Sequence, residues 1–547
     1  MRAAPIPAPL TSLSLVTRAL LGPRRDAVGC LHGAHDQKRT PVTAPAPTPV
    51  APPEADELHS VRATLRSPRR LRTEVLAGLV VALALIPEAI SFSIIAGVDP
   101  RVGLFASFTM AVSIAFLGGR PAMISAATGA IALVIAPVAR DYGLDYFIAT
   151  VILAGIFQVL LGVFGVAKMM RFIPRSVMVG FVNALAILIF MAQFPQLVGV
   201  PMLVYPLVAV GLAIMVYLPR LTKVVPAPLV AIVLLTVLTV VLALDVPTVG
   251  DEGDLPESLP SLLFPDVPLN LETLQIIAPY ALAMAIVGLL ESLMTAKLVD
   301  DVTDTHSNKT REAWGQGTAN IITGFFGGMG GCAMVGQTMI NVKASGARTR
   351  ISTFLAGMFL LALVVGLGDV VAQIPMAALV AVMIIVAVAT FDWHSVQVST
   401  LRRMPKSETM VMLATVVVTV ATHNLAIGVA VGVIVATVLF ARRVAHFTQV
   451  TRLDASDEDN ERVYAVQGEL FFASSNDLVY QFDYTGDPEN IVIDMSGAHI
   501  WDASTVASLD AVTTKYARRG KNVTIVGLNP DSAQRHARLA GNLGEGH

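Results

Sequence analysis

Between residues 75 and 441 long apolar stretches follow one another with only short polar breaks. A bilayer-spanning helix needs about 20 such residues. The stretches read as spans over 75–97, 100–117, 121–139, 143–166, 172–190, 202–219, 227–244, 272–296, 311–328, 332–342, 350–368, 370–389, 407–422 and 424–441, fourteen in all. The third and tenth are flanked by Gly and small residues and read as short or interrupted. After Arg443 the pattern changes to short segments of a different period. Residues 462–467 and 470–472 read as strands, 474–484 as a helix, 491–494 as a buried strand, 504–518 as an amphipathic helix, 523–526 as a strand and 530–540 as a last helix. Strands alternating with helices predict a small α/β domain.

The chain therefore divides into a Pro- and Ala-rich tail (1–60), a transmembrane domain (61–443), a linker (444–461), the α/β domain (462–541) and a short tail (542–547). The two tails carry no packable apolar pattern and are expected to be disordered. Arg2, Arg18, Arg24 and Arg25 give the first tail a faint transit-peptide character, which its proline density opposes.

Charge orients the spans. With the N-terminus in the cytoplasm, even-numbered spans end inside, and those ends carry most of the base: Arg120; Lys168, Arg171 and Arg175; Arg220 and Lys223; Lys297, Lys309 and Arg311; Lys343, Arg348 and Arg350; Arg402, Arg403 and Lys406; Arg442 and Arg443. The opposite loops offer little beyond Arg101 and Arg140, and loop 245–271 holds six carboxylates with no Lys or Arg. This is the positive-inside pattern. It places both termini and the α/β domain in the cytoplasm of a multi-pass protein of the cell inner (plasma) membrane.

Composition narrows the function. Hydrophobic residues make up 54% of the 547 and charged residues 14%, with a mean hydropathy of +0.68. A soluble chain carries roughly a quarter charged residues, so a water-soluble enzyme is excluded. A formal net charge of −2 leaves no footprint for nucleic acid. Cys30 and Cys332 are too few and too far apart for a disulfide framework or a cysteine zinc site. No phosphate-binding Gly-Lys-Ser/Thr loop, catalytic signature or metal-ligand spacing is present, so neither an enzyme nor a metal protein is expected.

The chemistry that remains lies in polar or broken features inside apolar spans, where ionisable groups are costly. Glu88 follows Pro87 in the first span, and interhelical pairing is the plain alternative to function. Gly118-Gly119-Arg120-Pro121 leads into Ile124-Ser125-Ala126-Ala127-Thr128-Gly129-Ala130, which suits a half-helix whose free N–H groups face an anion. Gly327-Gly328-Met329-Gly330-Gly331 precedes Cys332-Ala333-Met334-Val335-Gly336-Gln337 seven spans later. Such backbone is tolerated at membrane depth only when buried or lining a cavity. Paired breaks in two halves point to a transporter's midplane site. Glu291 and Thr295 share a helix face, seven spans after Glu88, and a proton or cation coupling site is their functional reading. Asn183, Gln193 and Gln373 read as packing hydrogen-bonders.

Pro87-Glu88-Ala89-Ile90-Ser91-Phe92, with Ala96-Gly97-Val98-Asp99-Pro100 and Gly103-Leu104, resembles the signature of the SulP (sulfate permease) anion transporters. Ile124 to Ala130 resembles that family's third-helix motif, with Ala126-Ala127 where Gly-Pro is usual. Ile491-Val492-Ile493-Asp494-Met495-Ser496-Gly497 with Trp501-Asp502-Ala503-Ser504 is similar to a STAS domain. The resemblance implies a seven-plus-seven inverted repeat of core and gate domains, an elevator-like cycle and a homodimer. It also implies an anion held between half-helices 3 and 10. By position Glu88 and Phe92 flank the anion, Thr128, Gly129 and Ala130 lie at one end, and Ala333, Met334 and Val335 supply backbone groups from the other.

Glu291 and Thr295 match the place where sodium-coupled bicarbonate members hold the cation. Glu instead of Asp there favours H+ over Na+ as the coupling ion, and no other cofactor is expected. Gln337 stands near where many relatives place Arg, so a fixed positive charge is missing. Ser504 is at or near a phosphorylated position of the related soluble domains, with N-capping of its helix as the plainer reading. A cytoplasmic partner of the STAS domain follows from the same resemblance. Sulfate is the first substrate expected, with bicarbonate, exchange or dicarboxylate transport as alternatives, and a nucleobase permease or a membrane-bound signalling protein more distant ones.

Overall fold

The computed structural model describes residues 60–165, 173–221, 226–256, 258–268, 270–445, 448–453 and 461–541. The tails at 1–59 and 542–547, and Lys168, Arg171 and Lys223 of the loop charge pattern, lie outside the described residues. The chain forms two compact units, one ending at Gly432 and one beginning at Val433, a boundary inside the helix Leu425–Ala445, which is described with the first.

The first unit is helical. In chain order its elements are α1 (Pro68–Ala96), α2 (Pro100–Leu117), β1 (Ser125–Ala126), α3 (Gly129–Tyr142), α4 (Leu144–Val163), α5 (Arg175–Met191), α6 (Val204–Leu221), α7 (Ala227–Val241), α8 (Leu271–Thr303), α9 (Lys309–Phe325), β2 (Cys332–Ala333), α10 (Val335–Met339), α11 (Arg350–Gly366), α12 (Met376–Thr390), α13 (Lys406–Thr422) and α14 (Leu425–Ala445). Single helical turns at Val61–Leu65, Gly368–Ala372 and Val398–Arg403 join or precede them. The helices fall close to the fourteen expected spans.

Among the described residues seven of them, α1, α2, α4, α5, α6, α8 and α14, are long and apolar enough to cross a membrane by length and composition. Of the others, α7, α9, α11, α12 and α13 run 15 to 17 residues, and α3 and α10 begin only after an extended strand. Within this unit α1, α2 and α11 pack together, as do α3, α4, α8 and α9, whereas α5, α6, α12 and α13 form a second group. The first group carries Glu88, Glu291, Thr295 and both broken segments and corresponds to the core; the second corresponds to the gate.

Helix ends inside the core are satisfied by charged side chains from distant segments. A helix leaves its first N–H and last C=O groups without intrahelical partners. Glu74 of α1, 3% exposed, accepts from the N–H groups of Arg348, Thr349 and Ser352 at the start of α11 (2.8, 3.1 and 3.1 Å). Arg311 donates to the carbonyls of Phe116 and Leu117, and Arg350 to those of Ala115 and Gly118, at the end of α2. Just beyond, Glu312 accepts from the N–H groups of Gly119 and Arg120 (2.7 and 3.0 Å). Arg120 itself pairs with Asp300 at 3.0 Å with a 1% exposed side chain, and Lys309 meets the same carboxylate at 2.7 Å. Arg120, counted above among the inside-facing charges, is thus a buried tie between the segment before β1 and the end of α8.

The second unit is α/β. Its strands are β3 (Gln449–Leu453), β4 (Glu461–Leu470), β5 (Asn490–Ile500) and β6 (Asn522–Val526), and its helices α15 (Phe472–Leu478), α16 (Ala503–Ala517) and α17 (Pro530–Leu539). The sheet order is β3-β4-β5-β6. β3 and β4 are antiparallel, and the other two pairs are parallel.

Three expectations are corrected here. β3 lies in the stretch read as linker; it is an edge strand with mostly exposed side chains, so no apolar alternation betrays it. Residues 462–467 and 470 belong to one strand, and Phe472 already starts a helix. That helix ends at Leu478, before Tyr484, where Asp483 takes the N–H of Gly486 and turns the chain. Under the sheet, Tyr464 and Tyr516 both donate to the buried Asp487 carboxylate (2.8 and 2.6 Å). Burial, reinforced by that carboxylate, pushes both phenols above their ordinary range.

Candidate functional site

β1 and β2 pair antiparallel, Ser125 opposite Ala333 and Ala126 opposite Cys332. Each strand runs directly into a half-helix, so the pairing brings the start of α3 and the start of α10 together although about two hundred residues separate them. Both strands are buried.

Side chains behind the strands fix this crossing. Asn320 of α9 accepts from the N–H of Gly331 (2.8 Å) and donates to its carbonyl (3.0 Å) and to Gln158 of α4 (2.8 Å). It thereby acts as a third strand beside β2. Gln316 donates to Ser125 (2.6 Å), and Thr338 accepts from the N–H of Ile124 (3.0 Å). Gly331 is required by space: a Cβ there would stand 2.0 Å from the carbonyl oxygen of Ala126. The interruption of the third span therefore does not need the usual Gly-Pro. With Ala126-Ala127 in its place the chain is still extended through Thr128 (φ −131, ψ 150), held so by β2.

At the α3 end, Thr128 is the N-cap and accepts from the N–H of Ile131 (3.4 Å). Gly129 and Ala130 open the helix and are buried, with N–H groups that have no intrahelical partner. Phe92, one turn beyond Glu88 on α1, lies against Gly129, its Cε1 2.9 Å from where a Cβ would stand. Glu88 is buried and accepts from Gln337 of α10 at 2.7 Å. The Oε1 of Gln337 is buried with no hydrogen-bond partner.

The α10 end differs from the expectation. The N–H of Ala333 donates to Ser292 (3.1 Å), its carbonyl accepts from Thr295 (3.2 Å), and the N–H of Met334 donates to the carbonyl of Ile124 (2.9 Å). Ala333 and Met334 are consumed in holding the crossing. The N–H groups left without intrahelical partners are those of Val335, Gly336 and Gln337, the first three positions of α10, since Thr338 is the first to bond back, to the Met334 carbonyl.

Glu291 and Thr295 do share a face, and both reach β2. Cys332 donates through its thiol to Glu291 Oε2 (3.0 Å), and its Sγ lies 3.2 Å from Thr128 Oγ1. In the sequence Cys332 is weighed as a disulfide partner or zinc ligand and appears only as part of the broken tenth span, and Ser292 and Asn320 are given no role. The signal present was the placing of each within or beside an apolar run. Asn183 pairs with Ser395 and the N–H of Asp392, and Gln193 with the carbonyl of Ile189, as packing groups. Among the described residues no cluster of three metal-ligating side chains is present. In the second unit Ser504 is exposed in the first turn of α16, but the N-cap is Asp502, which accepts from the N–H and hydroxyl of Thr505 (both 3.0 Å). The helix starts at Ala503, so Asp502 holds the capping position and Ser504 lies inside the first turn.

Comparison with known proteins places the chain. The model of the sulfate permease family matches residues 71–210 and 202–415, and that of the STAS domain matches 452–544. The chain belongs to the sulfate permease family: it is a multi-pass membrane protein, an anion transporter and not an enzyme, with a C-terminal STAS domain. It is 52% identical over 462 residues to YbaR of Bacillus subtilis, named a candidate sulfate transporter, covering 84% of this chain and 95% of that one. It is 26% identical over 522 residues to the bicarbonate transporter BicA of Picosynechococcus, covering 86% and 91%. Among solved structures, the transmembrane domain of a cyanobacterial BicA matches with a TM-score of 0.58 at 27% identity, covering 66% of this chain and 98% of that one. The murine Slc26a9 anion transporter in the inward-facing state has the same fold, with a TM-score of 0.73 at 16% identity over 86% of this chain and 87% of that one.

Proposed function

We propose that the chain is a secondary active transporter that couples uptake of a small inorganic anion, sulfate foremost, to protons. The observation that carries the proposal is the antiparallel crossing of β1 and β2, which brings two half-helix starts together beside Glu88, Phe92 and Glu291. The anion lies between those starts, bounded by Thr128, Gly129 and Ala130 on one side and by the N–H groups of Val335 and Gly336 on the other. The core helices carry it past the gate in an elevator motion. Both termini are cytoplasmic in the inner membrane, the transporter is a homodimer, and the STAS domain with Ser504 is its regulatory or assembly module.

Charge supports the coupling. Each half-helix start contributes about half a positive charge, and among the described residues no Lys or Arg is bonded to Glu88, Glu291 or Gln337. A sulfate dianion exceeds the two ends by about one charge and an ionised Glu291 adds a second; a proton taken up at Glu291 removes that second charge and halves the excess. Two of the groups a sodium ion would use already accept hydrogen bonds, Glu291 Oε2 from Cys332 and the Ala333 carbonyl from Thr295, so a sodium ion would have to compete with them. The relative of B. subtilis named for sulfate supports that anion. One observation favours bicarbonate as the second reading. Bicarbonate carries an O–H donor, sulfate does not, and the unpartnered Oε1 of Gln337 is an acceptor beside Glu88. A sodium-coupled carrier, an exchanger or a dicarboxylate carrier is the remaining alternative.

The test is uptake of labelled sulfate and of labelled bicarbonate by purified protein in liposomes, under an inward proton gradient and then an inward sodium gradient. Proton-driven sulfate uptake that Glu291→Gln abolishes is the expected result. Equal proton-driven uptake in Glu291→Gln would overturn the coupling assignment, and sodium-driven bicarbonate uptake would overturn the substrate.

A further inference from the structure

Three side chains from three distant elements meet in the core: Glu291 of α8, Cys332 of β2 and Thr128 at the start of α3. The thiol is fully buried between the other two, 3.0 Å from the carboxylate and 3.2 Å from the hydroxyl. A thiol has one proton and can accept as well as donate, and a Thr hydroxyl has one proton and two acceptor sites. The chain of bonds therefore has two orientations.

When Glu291 is ionised it can only accept. The S–H points at Oε2, and the Thr128 O–H is drawn onto Sγ. When Glu291 takes a proton from the aqueous side, its O–H can donate to Sγ and the S–H turns to Thr128 Oγ1. That oxygen already accepts from the N–H of Ile131, so both its acceptor sites are filled and its own O–H is released. No covalent bond changes other than at Glu291.

We propose that Cys332 is a positioning residue that reports the protonation of Glu291 to Thr128, so that the α3 end gains a hydrogen-bond donor for the anion only when the proton is aboard. This deepens the proton-coupled reading and rests on it for its consequence in transport. Proton and anion then favour each other's binding reciprocally.

Among the described residues the surroundings leave the thiol as the one titratable group bonded to Glu291. Of the elements packed on α8, α3 has Arg140 paired with Asp141 at its far end, with Tyr142 stacked on Tyr146 of α4; Asp145 of α4 accepts from the N–H of Asp266. On α9, Lys309 is engaged by Asp300, Arg311 by the end of α2, and Glu312 by Gly119 and Arg120. No residue of α10 is titratable, and Lys343 beyond it is exposed. On α8 itself Lys297 pairs with Asp301, and Glu88 of α1 is held by Gln337.

Two measurements test the bridge, in a Cys30→Ala background so that Cys332 is the sole thiol. The first is the infrared S–H stretching band of the protein in lipid. Its position is expected to move with Glu291→Gln, to move with Thr128→Val, and to titrate with pH only while Glu291 is present. A band unmoved by Glu291→Gln overturns the bridge. The second is the pH profile of anion uptake by Cys332→Ala and Cys332→Ser. Cys332→Ala is expected to lose about tenfold of the acid stimulation, the size of a bond to a charged group, mainly through a raised KM for the anion. Cys332→Ser, which can also donate and accept, restores it. A wild-type pH profile in Cys332→Ala overturns the role in coupling. A band that responds to Glu291 in a wild-type protein that shows no proton-driven uptake would leave the bridge standing and overturn the proton-coupled reading instead.

Discussion

The two half-helices that meet at the centre of the core are built to different tolerances. α3 runs 14 residues, is capped by the Thr128 side chain, and has Phe92 and Ile189 pressed against its first residue. α10 runs five residues before its hydrogen bonding widens to a π pattern over Ile340–Ala344. Its cap is Met334, which offers no side-chain acceptor, and open space surrounds Gly336 in its first turn. One end is fixed by packing, and the other is fixed by hydrogen bonds, from behind through the backbone of residues 331–334 and through the Gln337 and Thr338 side chains. The contrast teaches that the site's geometry is set by its back wall, with the α10 end as the side that has room for a solute.

The back wall is the place to break that contrast hardest. Gly331→Ala would put a methyl group 2.0 Å from the carbonyl oxygen of Ala126. Both atoms belong to paired backbone, so neither can rotate away, and the strands must separate. A loss of about 3 kcal/mol is expected, at the upper end of overpacking costs. Thermal unfolding of the purified protein, together with anion uptake abolished in liposomes, checks it. Wild-type stability in Gly331→Ala would mean that β1 and β2 are not paired.

Asn320→Leu is expected to come next. It keeps the forked shape of the side chain, in a larger volume, but strips partners from the N–H and carbonyl of Gly331 and from Gln158. Leaving buried polar groups unpaired costs about 1–3 kcal/mol; about 2 kcal/mol is expected in thermal unfolding. The anion KM should rise more than the maximal rate falls, because the start of α10 loses its aim. Unchanged KM alongside the lost stability would reduce Asn320 to a packing role.

How much of this was legible depends on what each residue answers to. Glu88 and Glu291 stand out in sequence because a carboxylate in an apolar run has few innocent explanations, and the breaks near Thr128 and Gly331 stand out because glycines and small residues cannot sustain a lipid-facing helix. These are local signals.

The pairing of Ser125 with Ala333 is not local, and with it went the fate of the backbone groups. Nothing near Ala333 or Met334 says that Ser292 and Ile124 have already taken their N–H groups. Cys332 was invisible for the same reason, since its meaning lies in Thr128 and Glu291 on other elements. Arg120 reads as a loop charge until Asp300 is seen beside it. In the second unit, β3 hides because an exposed edge strand needs no alternation, while the buried β5 was found from its apolar start.

The finest test sets the two ends against each other with one methyl group each. Gly129→Ala places a Cβ 2.9 Å from Phe92 Cε1 and 3.1 Å from Ile189 Cδ1. Those are side-chain tips that can yield by a few tenths of an ångström, so about 1 kcal/mol of stability should be lost. Gly336→Ala meets no atom within 4 Å, and alanine in a helix is favoured over glycine by up to about 1 kcal/mol. The two substitutions should therefore move the unfolding midpoint in opposite directions, with Gly336→Ala the smaller effect because it lies in the first turn. A larger side chain turns the same position into a probe of what occupies the space. Gly336→Leu should leave the fold intact yet raise the KM for sulfate, since the side chain would stand where the anion approaches the N–H groups of Val335 and Gly336. If Gly336→Leu binds sulfate as the wild type does, the room at α10 is not the anion's, and the two ends differ only in how tightly they are packed.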